Sequence, residues 1–165
     1  MSEPTPDPRS AAGDAPVTEG PVDQPTGDAG LAGAITALFA EGGSRLMHDF
    51  DLSITHAEPG LVRFTLPVVP GLCHGGGVLS GQAILGCMDT GMVFVMMSLN
   101  AADNPAFTTV QLQTAFERGV PDDCGEVSFE ARATKTGRSL VFGQIDLFLP
   151  DGRRAASATT TYMWL

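Results

Sequence analysis

At 165 residues and 43% hydrophobic content, the chain is long enough to bury one good core and too short for two full domains. Its formal charge is −10 at pH 7, and half of that excess lies in residues 1–30, which hold six prolines, six acids (Glu3, Asp7, Asp14, Glu19, Asp23, Asp28) and one base, Arg9. The remainder carries thirteen acids against eight bases with no basic cluster beyond Arg153-Arg154, so nucleic acid is not an expected partner.

Residues 1–30 contain hardly any large apolar side chain and cannot bury enough surface to offset their ordering entropy, so a disordered tail is expected there and one domain over 31–165. An acidic, proline-rich start lacks the basic and apolar runs of a secretory signal, which places the protein in the cytoplasm. Cys73, Cys87 and Cys124 are odd in number and match no metal or redox spacing. His48, His56 and His74 are too scattered to complete a metal set with them, so no metal is expected.

In chain order, Leu31, Ala34, Ile35, Leu38 and Phe39 recur at helical spacing before Gly42-Gly43, which predicts a short docking helix. Leu52 and Ile54, then Val62, Phe64 and Leu66, alternate with polar neighbours around Glu58-Pro59-Gly60, which predicts a hairpin. From Ala83 to Leu99 the run AILGCMDTGMVFVMMSL is apolar on every side, with Asp89 its only charge and Ser80 placed as N-cap. A transmembrane span is the rival reading, but the run is short, holds a central acid and lacks flanking Lys or Arg, so no membrane is expected. Four strands are predicted next: Val110–Phe116, Val127–Ala133, Val141–Leu149 and Ala155–Trp164, divided by turn residues at 121–123, 136–138 and Asp151-Gly152. A helix apolar all round must be wrapped, and a curved antiparallel sheet can wrap it. The expected architecture is α+β: a hot-dog fold, with its sheet around one long helix.

Burying a carboxylate without partners costs several kcal/mol, so Asp89 needs either a functional reason or a structural one. The structural possibilities are a side chain that reaches the surface and one paired with a buried arginine across an oligomer interface. Ahead of the helix, residues 70–82 (PGLCHGGGVLSGQ) are glycine-rich and end at a helix start, whose free amides suit an anion or a carbonyl oxygen. They serve equally as a plain turn and cap. Ser80 and Asp89 are about two and a half helical turns apart, close enough to address one substrate. His74-Gly75-Gly76-Gly77 also has the look of a lipase-type oxyanion loop, but neither Ser80 nor Ser139 sits in the Gly-x-Ser-x-Gly elbow that such enzymes need.

These residues resemble the phenylacetyl-CoA thioesterase (PaaI-like) family of hot-dog proteins, whose hallmark is Asn-x-x-Gly-x-x-His-Gly-Gly followed by the catalytic Asp. Placing His74-Gly75-Gly76 on the family's His-Gly-Gly leaves six residues too many before Asp89. The ungapped match puts His74 on the Asn, Gly77 on the first Gly, Ser80 on the His, Gly81 and Gln82 on the glycine pair, and Asp89 on the Asp. Similarity covers roughly residues 48–165, including Thr109 to Phe116 and the closing pair of strands.

The resemblance implies an acyl-CoA thioesterase in which the Gly81 amide, assisted by Gln82, polarises the thioester carbonyl and Asp89 is general base or nucleophile. Thr109 of the facing subunit would orient the water. Ser80 would cap the helix or touch substrate, His74 would bond the carbonyl or brace its loop, and the acyl group would lie beside Met88 and Met92. Coenzyme A belongs to the substrate, so no cofactor is implied, and the partners are acyl-CoA and a second copy of the chain, as homodimer or homotetramer. Arg118 and Arg138 are conceivable phosphate contacts but read better as solvated surface. The alternative function is a non-catalytic acyl-CoA or fatty-acid binder. A hot-dog hydratase would need a histidine beyond His74, and none follows.

Overall fold

The computed structural model describes residues 27–100 and 102–165. Helix α1 (Ala29–Gly42) is capped by the Asp28 carboxylate, which accepts from the Gly30 and Leu31 amides. The Asp28 amide donates to the Ala57 carbonyl at 3.0 Å, which ties residues ahead of the expected boundary at 31 to the sheet. The rest of the expected tail lies outside the described residues. A one-turn helix α2 (Arg45–His48), which the sequence did not signal, follows Gly43 and buries Met47.

Strands β1 (Ser53–Glu58) and β2 (Leu61–Pro67) form the expected hairpin. Its turn places Pro59 before Gly60 at φ +87°, the positive angle that the second corner of a type II turn requires. The glycine-rich stretch is more ordered than expected: a 3-10 turn at Pro70–Leu72 leads into a two-residue ribbon of β3 (Cys73–His74) and β4 (Val78–Leu79). Helix α3 (Gly81–Leu99) then runs through the molecule, with the Ser80 hydroxyl accepting from the Ala83 amide.

Strands β5 (Phe107–Phe116), β6 (Glu126–Thr136), β7 (Leu140–Phe148) and β8 (Arg154–Trp164) complete an antiparallel sheet of order β1-β2-β6-β7-β8-β5. Val62, Phe64 and Leu66 on β2 and Val127, Phe129 and Ala131 on β6 alternate and are buried in one core with α3, whereas Val110 on β5 is exposed. Phe64 stacks on its cross-strand neighbour Phe129 at 4.8 Å and meets the edge of Phe94 from α3 at 5.3 Å. Each such ring contributes roughly 1.5–3 kcal/mol of burial. On the outer face, Arg63, Glu130, Arg132, Asp146, Arg154 and Glu117 form a chain of ion pairs across four strands, with buried Asp146 held between Arg132 and Arg154 at 3.4 Å each.

Helix α3 is long and apolar enough to cross a membrane by length and composition, and two thirds of it is buried inside the fold. Its remaining stripe, Gln82, Leu85, Gly86, Asp89 and Val93, follows the helical repeat and stays partly or fully open. Asp89 therefore lies on the one side of the core helix that the sheet leaves uncovered.

Candidate active site

Two strands bring hydroxyls to Asp89. Thr109 on β5 and Tyr162 on β8 are direct cross-strand partners, so their side chains share one face of the sheet. Thr109 Oγ1 donates to Asp89 Oδ1 at 3.0 Å, and Tyr162 OH donates to the same oxygen at 2.5 Å while lying 3.1 Å from the Asp89 carbonyl oxygen. No donor among the described residues reaches Oδ2.

A bulge at Val110 makes this possible. The register steps from Thr109 opposite Tyr162 to Gln111 opposite Thr161, leaving Val110 as an extra residue. Strict alternation would put Thr109 on the opposite face from Leu112, Thr114 and Phe116; the bulge turns all four toward α3.

Tyr162 is 1% exposed. Burial, then the hydrogen bond and charge of Asp89, push its phenol above the ordinary value, with the Thr109 hydroxyl opposing. Within one chain no cation among the described residues pairs with Asp89; the arginine-held buried acid is Asp146.

Asp89 lines a solvent-open cavity of about 600 Å³ whose other walls are largely apolar, with Leu38 and Phe39 of α1, Met47 of α2, Val93 and Met97 of α3, and Phe107. Met88 and Met92, expected beside the acyl group, do not line it. Both are fully buried: Met88 sulfur takes the Thr114 hydroxyl at 3.7 Å, and Met92 fills the space that a side chain at Gly143 would occupy. Flexible thioethers do line the cavity, but they belong to Met47 and Met97.

At the start of α3 the Gly81 and Gln82 amides, the first two of the helix, donate to no protein acceptor among the described residues. Gly81 lines a second cavity, of about 330 Å³, with Leu79, Ile84, Phe116 and Arg118. Ser80 is taken up by the cap, and Gln82 is exposed. His74 is also exposed, and its Nδ1 accepts the Gly76 amide at 2.9 Å, so it braces its own loop. Arg118 is engaged with the Arg154 carbonyl at 2.7 Å. Among the described residues no group of histidine, cysteine and acidic side chains could hold a metal ion.

Within one chain, then, Asp89 and Thr109 come together, where the facing subunit was expected to supply Thr109. Gly81 and Asp89 stay apart: they line different cavities, and Asp89 stands eight positions further along the helix, a rise of roughly 12 Å. Sequence reasoning missed Tyr162. The available signal was that it is the sole tyrosine of the chain, on the inward side of a strand where it follows the small residues Ala156, Ala158 and Thr160.

A six-stranded antiparallel sheet wrapped around one long helix, with a carboxylate on the open side of that helix, defines a hot-dog protein. The chain resembles the thioesterases of that fold: residues 76–156 match the family model of the Thioesterase superfamily. Similar solved structures include a thioesterase family protein from Silicibacter pomeroyi (25% identity, 82% of this chain and 98% of that one, TM-score 0.72). Another is the Escherichia coli PaaI protein of the phenylacetic acid degradation operon (14% identity, 82% and 96%, TM-score 0.71). A third is a hypothetical thioesterase protein of Streptococcus pneumoniae, solved with coenzyme A (20% identity, 72% and 96%, TM-score 0.65). No curated protein matches the chain.

Proposed function

We propose that the protein hydrolyses acyl-CoA thioesters, with Asp89 as general base. The observation that carries the reading is the carboxylate itself: one oxygen is held by two hydroxyls, the other meets no donor among the described residues, and an apolar cavity opens beside it. Water bound at Oδ2 would give a proton to Asp89 as its oxygen attacks the thioester carbon. The carbon–sulfur bond then breaks, and the proton passes to the departing coenzyme A thiolate. The cavity's apolar walls suit an acyl chain, and the coenzyme A bound to the Streptococcus pneumoniae relative supports the thioester class.

The carbonyl oxygen needs a donor, and the free amides at the start of α3 suit it by position and dipole. About 12 Å is too far for one thioester to meet Gly81 and the Asp89 water of the same helix. The reading therefore includes a dimer in which Gly81 of one subunit serves Asp89 of the other. Two features support that dimer: the open stripe of α3, and the edge strand β5, ten residues without a charge or proline whose outer side is unpaired among the described residues.

The test is turnover of a panel of aryl-, short- and long-chain acyl-CoAs, followed by trapping free coenzyme A with a thiol reagent. Hydrolysis of at least one class is expected. Binding of acyl-CoA without turnover would make the protein a carrier instead.

A further inference from the structure

We infer that Tyr162 is a positioning residue for Asp89, one that fixes which carboxylate oxygen reacts. This rests on the hydrolase reading and adds a residue to it. A phenol has a single proton, and here two oxygens lie within reach, Asp89 Oδ1 at 2.5 Å and the Asp89 carbonyl at 3.1 Å. A charged acceptor forms the shorter and stronger bond, so the proton goes to Oδ1. Thr109 donates to that same oxygen at 3.0 Å.

A free carboxylate exchanges its two oxygens by rotating about its terminal bond. Here such a rotation breaks two hydrogen bonds at once and carries the committed oxygen away from both donors. The phenol donor is itself fixed. Tyr162 is buried, paired with Val141 on one side and Thr109 on the other, and its ring lies 6.0 Å from that of Phe107. Oδ2 is left as the oxygen available to a water in the cavity. A group held in the productive rotamer by its neighbours loses rate when they go, because a small misplacement of the base lengthens the proton transfer.

Two measurements test this. Tyr162 is the only tyrosine, so its hydroxyl proton is one assignable NMR resonance. It is expected downfield and protected in the wild type and shifted upfield in Asp89→Asn; a resonance indifferent to that change overturns the pairing. In Tyr162→Phe, which keeps the ring, kcat should fall on the order of a hundredfold with KM nearly unchanged. A folded variant with wild-type kcat overturns the inference, as does a loss confined to KM. Should that variant not fold, the hydroxyl resonance decides. The resonance needs no turnover, so a wild type that hydrolyses no acyl-CoA defeats the hydrolase reading without deciding the pairing.

Discussion

An amide at position 89 keeps the oxygen that Thr109 and Tyr162 address and removes the acceptor that would take water's proton. Asp89→Asn should therefore lower kcat about a hundredfold or more while unfolding free energy stays within about 1 kcal/mol of wild type. Turnover and denaturant melts of one preparation check both. A larger loss of stability with proportionate loss of activity would make Asp89 a structural anchor. On the same helix, burial pushes the Cys87 thiol from 9.0 up to about 12. Above pH 9 the unfolded chain has released a proton that the folded chain retains, so its contribution to stability is full below that pH and is lost as pH rises toward 12. The slope is at most about 1.4 kcal/mol per pH unit. Between pH 9 and 10, denaturant midpoints should fall less steeply in Cys87→Ala than in wild type; equal slopes refute the assignment. Asp89 was legible because an acid in an apolar helix demands a reason. Tyr162 was not, because its partner depends on a cross-strand register that the bulge at Val110 sets.

Helix α3 can approach the sheet because Gly91 has no side chain. A Cβ there would stand 2.9 Å from the Phe64 ring and 3.2 Å from Ala131. Phe64 cannot yield easily, being stacked on Phe129 and abutted by Phe94. Gly91→Ala should cost about 1–3 kcal/mol of overpacking, partly offset by about 1 kcal/mol of helix propensity. A lower Tm with unchanged helical content is the expected result; a raised Tm would mean that the interface relaxes freely. The elements themselves were readable from periodicity, since α3 is apolar all round and the strands alternate. What periodicity could not show lies at the junctions. Helix α2 is a single turn, too short for a pattern, and it supplies Met47 to the cavity. Met88 and Met92 were expected at the cavity because sequence shows that α3 is apolar without showing which side the sheet covers.

At the scale of the whole molecule, the separation of Gly81 from Asp89 makes the proposed site testable without a structure of the assembly. Gly81→Pro removes the leading amide proposed for the carbonyl, at the first helical position, where proline is tolerated. Ser80, at φ −69° and ψ 146°, already has the extended backbone that a following proline requires. A Cβ at 81 meets nothing closer than Phe116 at 3.6 Å, so the fold should survive. The variant should lose about a hundredfold in kcat, as expected when an oxyanion donor is removed. Asp89→Asn should be similarly slow. If the site is shared across a twofold axis, unfolding and refolding the two inactive variants together restores activity. Each mixed dimer then has one site with Gly81 from one chain and Asp89 from the other, beside one site lacking both. Sedimentation should show dimers or tetramers throughout. Mixed assemblies as inactive as their parents would place both groups in one chain, and a stable monomer that turns over acyl-CoA would remove the need for a second subunit.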